Sequence, residues 1–419
     1  MQPRILMNWR IWIALLLAIG VAAVAFVAGG AAEMRSYWPF GDRYPFLERT
    51  LNRITEGVER EFDKYSKTAM LTGVHELVVE SYPLPFRDTA AFLALSDTEF
   101  LVATRLGDLN HVVIGGETAR ARLIGSLGVA GDMPFKAGVK DLLLIAPGKL
   151  LASVTTHNAA KDCYALALFE YSFDIDEKSV NQTRKLFESE PCLSLPLALE
   201  ESGGRIVRFS DDSVLLSVGN LGLGVERLAG DYGRAFKIRL SDGFSSVFVT
   251  GLRNAQGLFV DPELGLVFET EHGPRGGDEI NVLREGSNYG YPNVTYGTDY
   301  SVIDDASVDD TCDTKCGTHM GYELPLFAFV PSIGISNLVR YPSSGAEFHR
   351  WRGNLLVESL RAGTLFRLEY VDGRIIFSEP IPFETRLRDI ALLPSGSIVL
   401  LTDKAKLLVL TRAKAVAQQ

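Results

Sequence analysis

The stretch from Gly251 to Asp299 concentrates side chains able to do chemistry. It reads GLRNAQGLFVDPELGLVFETEHGPRGGDEINVLREGSNYGYPNVTYGTD. A basic and amide cluster (Arg253, Asn254, Gln256) is followed by a strand-like run and then by a glycine-rich turn. Glycine reaches φ > 0 without a Cβ clash, so such a turn lets backbone carbonyls and amides approach a ligand closely. Asp278, Glu279, Tyr289 and Asp299 add hard oxygen donors, which suit Ca²⁺ better than a soft metal. These residues predict a place where a cation and an anionic group are held together.

The elements that must position them belong to a chain of 419 residues, long enough for one large core or two ordinary ones. It is 47% hydrophobic and 22% charged with 39 glycines, the make-up of a folded globular protein. A net charge of −10 argues against a nucleic-acid partner, because phosphate binding needs a basic face. At the N-terminus Arg4 and Arg10 precede an uncharged apolar run, residues 11–32. Roughly twenty apolar residues span a bilayer as a helix, and a cleaved signal has a shorter apolar core. Residues 1–32 therefore read as a membrane anchor or a signal, with the body in the periplasm or otherwise outside the cytoplasm. In that oxidising space the four cysteines read as two local disulfides, Cys163 with Cys192 and Cys312 with Cys316. A metal site of Cys312, Cys316 and His319 lacks an evident fourth ligand. His75, His111, His157 and His349 show no metal spacing.

Residues 33–71 read as a helical stalk or linker, with apolar residues at helical spacing from Tyr44 to Met70. Beyond it a small unit recurs: a short apolar strand, a tight turn, and a second strand. It begins at Ala90, Asp141, Gly204, Gln256 and Asp389, with a weaker copy at Ile335. Turns such as PSG, SDD and DPELG are hairpin chemistry. Six such units predict a six-bladed all-β propeller of four-stranded blades over residues 72–412, preceded by the N-terminal transmembrane helix. Propellers bind ligands at one end of a central channel, so site residues should be scattered blade by blade.

The segments GLRNAQGL and ETEHGPRGGDEINVLREGSNYGYP resemble the soluble PQQ-dependent sugar dehydrogenases, the glucose/sorbosone and aldose sugar dehydrogenase group. In that family they correspond to G-H-R-N-P-Q-G-L and to E-H-G-P-x-G-G-D-E-I-N ending N-Y-G-W-P. Weaker similarity runs from about Leu142 to Asp403. The resemblance implies that Arg253 and Asn254 contact the quinone, with Gln256 and His272 beside them. It implies that Arg361, Arg386 and Arg388 face the cofactor's carboxylates, for which a guanidinium fork is suited. The carbonyls of Gly273 and Pro274 would hold the cofactor's Ca²⁺, and Glu279, Tyr289 and Asp299 a second calcium. The implied reaction is oxidation of a sugar or related polyol. Calcium polarises the quinone as hydride leaves the sugar C1, and an external acceptor takes the electrons, since no haem motif is present.

One departure bears on the chemistry. The family's general base is the His of H-x-G-G-R, and here the chain reads Glu201-Ser202-Gly203-Gly204-Arg205. Leu252 and Tyr291 replace another family His and a Trp. Glu201 is either a replacement base, as a carboxylate taken out of water can be, or a surface acid on a propeller without catalysis. The alternative function is thus a membrane-anchored propeller that binds a carbohydrate or protein partner. Its arginines would then be tied up in salt bridges. A lactonase-type hydrolase is a third and weaker reading.

Overall fold

The computed structural model describes residues 64–129, 133–134, 137–223, 230–274, 276–297 and 319–413. The expected membrane helix, nearly all of the stalk, Asp299 and the Cys312/Cys316 pair lie outside them. Among the described residues no helix is long and apolar enough to cross a membrane.

Six antiparallel sheets are arranged around an axis, each beginning with an inner strand. The inner strands are Thr89–Ala94, Val139–Ala146, Gly203–Ser210, Ala255–Asp261, Ile335–Arg340 and Leu387–Leu392. Each packs against the next, and the last packs against the first, so the ring closes. This is the six-bladed propeller expected, and all six repeated units fall on an inner strand and its neighbour. Five blades have four strands. The sixth has five, because Ser66–Leu71 and Glu76–Pro83 from the N-terminal side join Lys406–Arg412 from the C-terminal side. Ser66–Leu71 thus corrects the stalk assignment: a turn at Thr72–His75 folds it back onto Glu76–Pro83, with Lys67 and Tyr65 bonded to Glu80. Backbone pairing with an existing sheet decides the matter over helical propensity.

Inner and second strands are covered on both faces by neighbouring blades, so they carry nearly continuous apolar runs; Ser213–Val218 is buried throughout. Outer strands such as Thr118–Ser126 remain largely exposed. The core consists of seams between blades. In the seam between the last blade and the first, Phe92, Phe100 and Val102 meet Val399, Leu401 and Leu407. The Cys163–Cys192 disulfide forms as the sequence suggests, fastening the connector after the second blade to that blade. With a sequence separation of 29 it removes about 3–4 kcal/mol of unfolded-chain entropy.

Candidate active site

The predicted residues gather at the end of the propeller where inner strands begin and second strands finish. Glu201 closes a 3₁₀ turn just before the third inner strand, and Arg253 and Asn254 precede the fourth. His272 follows the second strand of the fourth blade (Leu266–Glu271), and Arg386 and Arg388 flank the start of the sixth inner strand. Antiparallel pairing is what brings these positions, remote in sequence, to one end.

Arg253 is the organising side chain and is 7% exposed. Its Nη2 donates to Glu201 Oε1 at 2.6 Å, and its Nη1 donates to the carbonyls of His272 (3.0 Å) and Gly273 (3.2 Å). Its guanidinium carbon stands 5.9 Å from the centre of the Tyr291 ring. The Tyr291 hydroxyl accepts from Asn220 Nδ2 at 3.2 Å. Glu201 is therefore fixed through one oxygen, while its Oε2 is buried without a hydrogen-bond partner among the described residues. The backbone allows this because a Cβ at Gly219 would lie 2.0 Å from the Glu201 carbonyl oxygen, so only glycine fits there.

Beneath Arg253 a narrow pocket of about 10 Å³ is lined by Glu271, Gly273, Pro274, Glu279, Tyr289 and Tyr291, with Arg253 at its edge. Four residues expected at calcium thus surround one space. A Cβ on Gly273 would sit 1.8 Å from the Gly277 carbonyl, so the turn closes only with glycine. Burial pushes the Glu271 carboxyl up to about 7, against the pull of the Arg253 amide. Burial, with the Glu271 charge beside it, pushes Glu279 up to about 9. Asn281 Nδ2 bridges Glu271 Oε1 (3.2 Å) and Glu269 Oε2 (3.1 Å). Carboxyls held up by burial and lined with carbonyls form an oxygen-only donor set suited to a hard cation. Among the described residues no three His, Cys, Asp or Glu side chains are grouped for a metal, so a cation here would depend on main-chain oxygens.

Several expectations need correction. The Tyr289 hydroxyl donates to Val282 O (2.6 Å) and accepts from Arg284 N (2.9 Å), leaving its main-chain carbonyl as the oxygen it could offer. Both Ile333 N and Ile335 N donate to Asp278 Oδ2, which pins the next blade and is not turned to the pocket. His272 Nε2 lies 2.6 Å from the Ile335 carbonyl, and burial lowers its pKa: it is a satisfied loop histidine. The Asn254 side-chain oxygen accepts from Gln256 Nε2 at 2.9 Å. The arginines do not converge unaided. Arg386 and Arg388 both pair with Asp403 (2.6 and 2.7 Å), and Arg361 is exposed on its own turn. His319, considered with the cysteines, is instead stacked on Tyr296 at 4.8 Å with Nε2 3.9 Å from Glu279.

Sequence reasoning missed Glu271, Asp403, Asp389 and Glu358. Glu358 is 0% exposed, and neither of its carboxylate oxygens has a hydrogen-bond partner among the described residues. The one available signal was acids standing inside apolar runs, as in LLVES and VLLTD. A wider polar cleft of about 840 Å³ opens at the same end of the second blade, beside the disulfide, and contains none of the predicted residues.

A closed six-bladed propeller with its polar cluster at one end of the axis defines the class, and comparison with known proteins supplies the family. The Glucose / Sorbosone dehydrogenase family matches residues 86–410, and the chain belongs to it. It is 30% identical over 174 residues to the aldose sugar dehydrogenase YliI of Escherichia coli, covering 40% of this chain and 44% of that protein. It is 31% identical over 233 residues to an uncharacterised protein of Synechocystis, covering 48% and 53%. The chain thus spans about half the length of the curated relatives it matches. The soluble aldose sugar dehydrogenase of Escherichia coli, solved in its apo form, superposes with a TM-score of 0.67 at 23% identity, over 80% of this chain and 99% of that one. A PQQ-bound aldose sugar dehydrogenase from Streptomyces coelicolor gives 0.59 at 18% identity, over 83% and 98%. At such identities these two likenesses speak for the fold alone.

Proposed function

We propose that the protein is a quinoprotein oxidoreductase that oxidises an aldose or related polyol, uses PQQ and Ca²⁺, and passes electrons to an external acceptor. Its body would stand outside the cytoplasm behind the N-terminal anchor. The observation that carries the reading is the Arg253–Glu201 pair set over an oxygen-lined pocket. One carboxylate oxygen is held by the guanidinium, and the other is buried without a partner.

The pocket, of about 10 Å³, is too small for a tricyclic quinone and of a size for an ion. The carbonyls of Gly273 and Pro274, with Glu271 and Glu279 behind them, would hold the cation, and Arg386 and Arg388 would hold the carboxylates of the quinone. When bound, the quinone supplies the hydride acceptor and the cation its electrophilic assistance. The chain's own residues do the rest. Arg388 and the exposed Arg386 present guanidinium groups to carboxylates by turning from Asp403, which otherwise holds both. Arg253 holds Glu201 Oε1, which leaves Oε2 as the oxygen that would take the proton of the hydroxyl. Tyr291, half-buried beside Arg253, excludes water from that side.

The test is titration of PQQ into the full chain in detergent, with and without Ca²⁺, followed by cofactor absorbance and calorimetry. Arg386→Ala with Arg388→Ala is the control. Calcium-dependent binding lost in the control supports the quinoprotein. No binding at high cofactor concentration overturns it and leaves a propeller that binds a carbohydrate or protein.

A further inference from the structure

Arg205 belongs to the motif that should carry the general base, yet its side chain turns away from the pocket and toward the axis. It is 5% exposed. Its Nε donates to the carbonyl of Gln256 in the fourth blade (2.5 Å), and Nη2 donates to the carbonyl of Arg388 in the sixth (3.1 Å). Nη1 reaches Asp141 Oδ1 in the second blade (3.4 Å) and Asp389 Oδ1 in the sixth (3.3 Å). The two acids extend the network. Asp141 accepts the amides of Leu142 (2.9 Å) and Ile206 (2.8 Å). Asp389 accepts Asn337 Nδ2 of the fifth blade (2.6 Å) and the Phe92 amide of the first (3.5 Å). The guanidinium thus ties four inner strands directly and, through Asp389, reaches those of the first and fifth blades.

We propose that Arg205 is a positioning residue, an axial clamp that sets the backbone from which Gln256 and Arg388 reach the candidate site. The physical reason is donor geometry. A planar fork with five N–H groups serves four acceptors in different directions at once, and an ammonium on a flexible stem cannot. The two carbonyls it holds belong to Gln256, whose side chain bonds to Asn254 beside Arg253, and to Arg388, which pairs with Asp403, so freeing them lets Arg388 drift relative to Arg253. The identity of the ligand that Arg388 meets rests on the quinoprotein reading; the clamp itself does not.

The experiment compares the full-length wild type with Arg205→Lys by hydrogen–deuterium exchange without ligand, alongside Tm and PQQ titration. Asp389→Asn serves as second variant should the lysine protein fail to fold. The amides of Phe92, Leu142, Ile206 and Ile390 report on the network, and those of the second strand Leu355–Ser359 on global stability. The expected result is faster exchange confined to the network peptides, little change in Tm, and PQQ affinity weaker by roughly ten- to a hundredfold. A change in Tm with affinity intact, or exchange raised equally everywhere, reduces Arg205 to a general stabiliser and overturns the proposal. Unchanged exchange at the network peptides overturns it outright. Locally raised exchange in a protein whose wild type binds no PQQ upholds the clamp and refutes the cofactor reading.

Discussion

Glu201→Gln separates the base from the scaffold, because its expected effects on turnover and on cofactor binding have opposite signs. Glutamine keeps an oxygen to accept from Arg253 Nη2, which now spans 2.6 Å to Glu201 Oε1. It removes the negative charge and the proton-accepting oxygen. Loss of a positioned base slows proton transfer by about 10²- to 10⁴-fold, or roughly 3–5 kcal/mol in the barrier. The released Arg253 charge should draw an anionic cofactor in. A unit charge roughly 8 Å away at an effective dielectric near 20 is worth about 2 kcal/mol, so affinity should rise by about tenfold or more. Because Glu201 is 18% exposed and Arg253 keeps the His272 and Gly273 carbonyls, the fold should lose no more than about 3 kcal/mol. The assay is steady-state sugar oxidation with an artificial acceptor, set against PQQ calorimetry and thermal unfolding. Turnover within about threefold of wild type refutes the base assignment. A parallel fall in turnover, affinity and Tm refutes it too, and makes the pair a brace.

Two further predictions concern pH and stability. His75, at the turn before Glu76–Pro83, accepts the Arg350 amide at 3.3 Å; burial lowers it to about 4, with the charges of His349, Arg412, Arg350 and Arg367 around it. The unfolded chain binds the proton from about pH 6.5 downward and the folded one only near 4, so stability present above 6.5 is lost on acidification, by at most about 3 kcal/mol. His75→Gln keeps the acceptor without titrating, and its Tm should fall less between pH 7 and pH 4 than that of wild type; parallel curves refute this. Glu358 has the opposite sign. Burial first, and then the Asp389 charge, raise it well above 4.5, while Arg205 and Arg388 oppose. Stability is fullest below that value and declines as pH rises, by about 1.4 kcal/mol per unit. Glu358→Gln should therefore match wild type near pH 4.5 and exceed it in Tm at pH 8; a variant no more stable at pH 8 refutes the assignment.

What the sequence by itself determined follows from which residues sit in covered strands. Inner and second strands must be apolar on both faces, and so DLLLIAPGKLLASV and GRIVRFSDDSVLLSV stood out as repeated units and fixed the blade number. The motif from Gly251 onward placed Arg253 and the Gly273–Pro274 turn, because its local geometry depends on glycines that neighbours in sequence demand. The outer strands and the fifth strand of the last blade were illegible: Ser66–Leu71 is almost wholly exposed, and only its backbone bonds to Glu80 and its neighbours make it a strand. The ion pairs were decided by tertiary structure alone. Glu201 meets Arg253, Asp403 meets Arg386 and Arg388, and Arg205 meets Asp141 and Asp389, across separations that no local pattern encodes. A guanidinium carries five N–H donors fixed in one plane, so its type announces a need for partners. Only closure of the ring, which carries each inner strand to the axis, determines which partners those are.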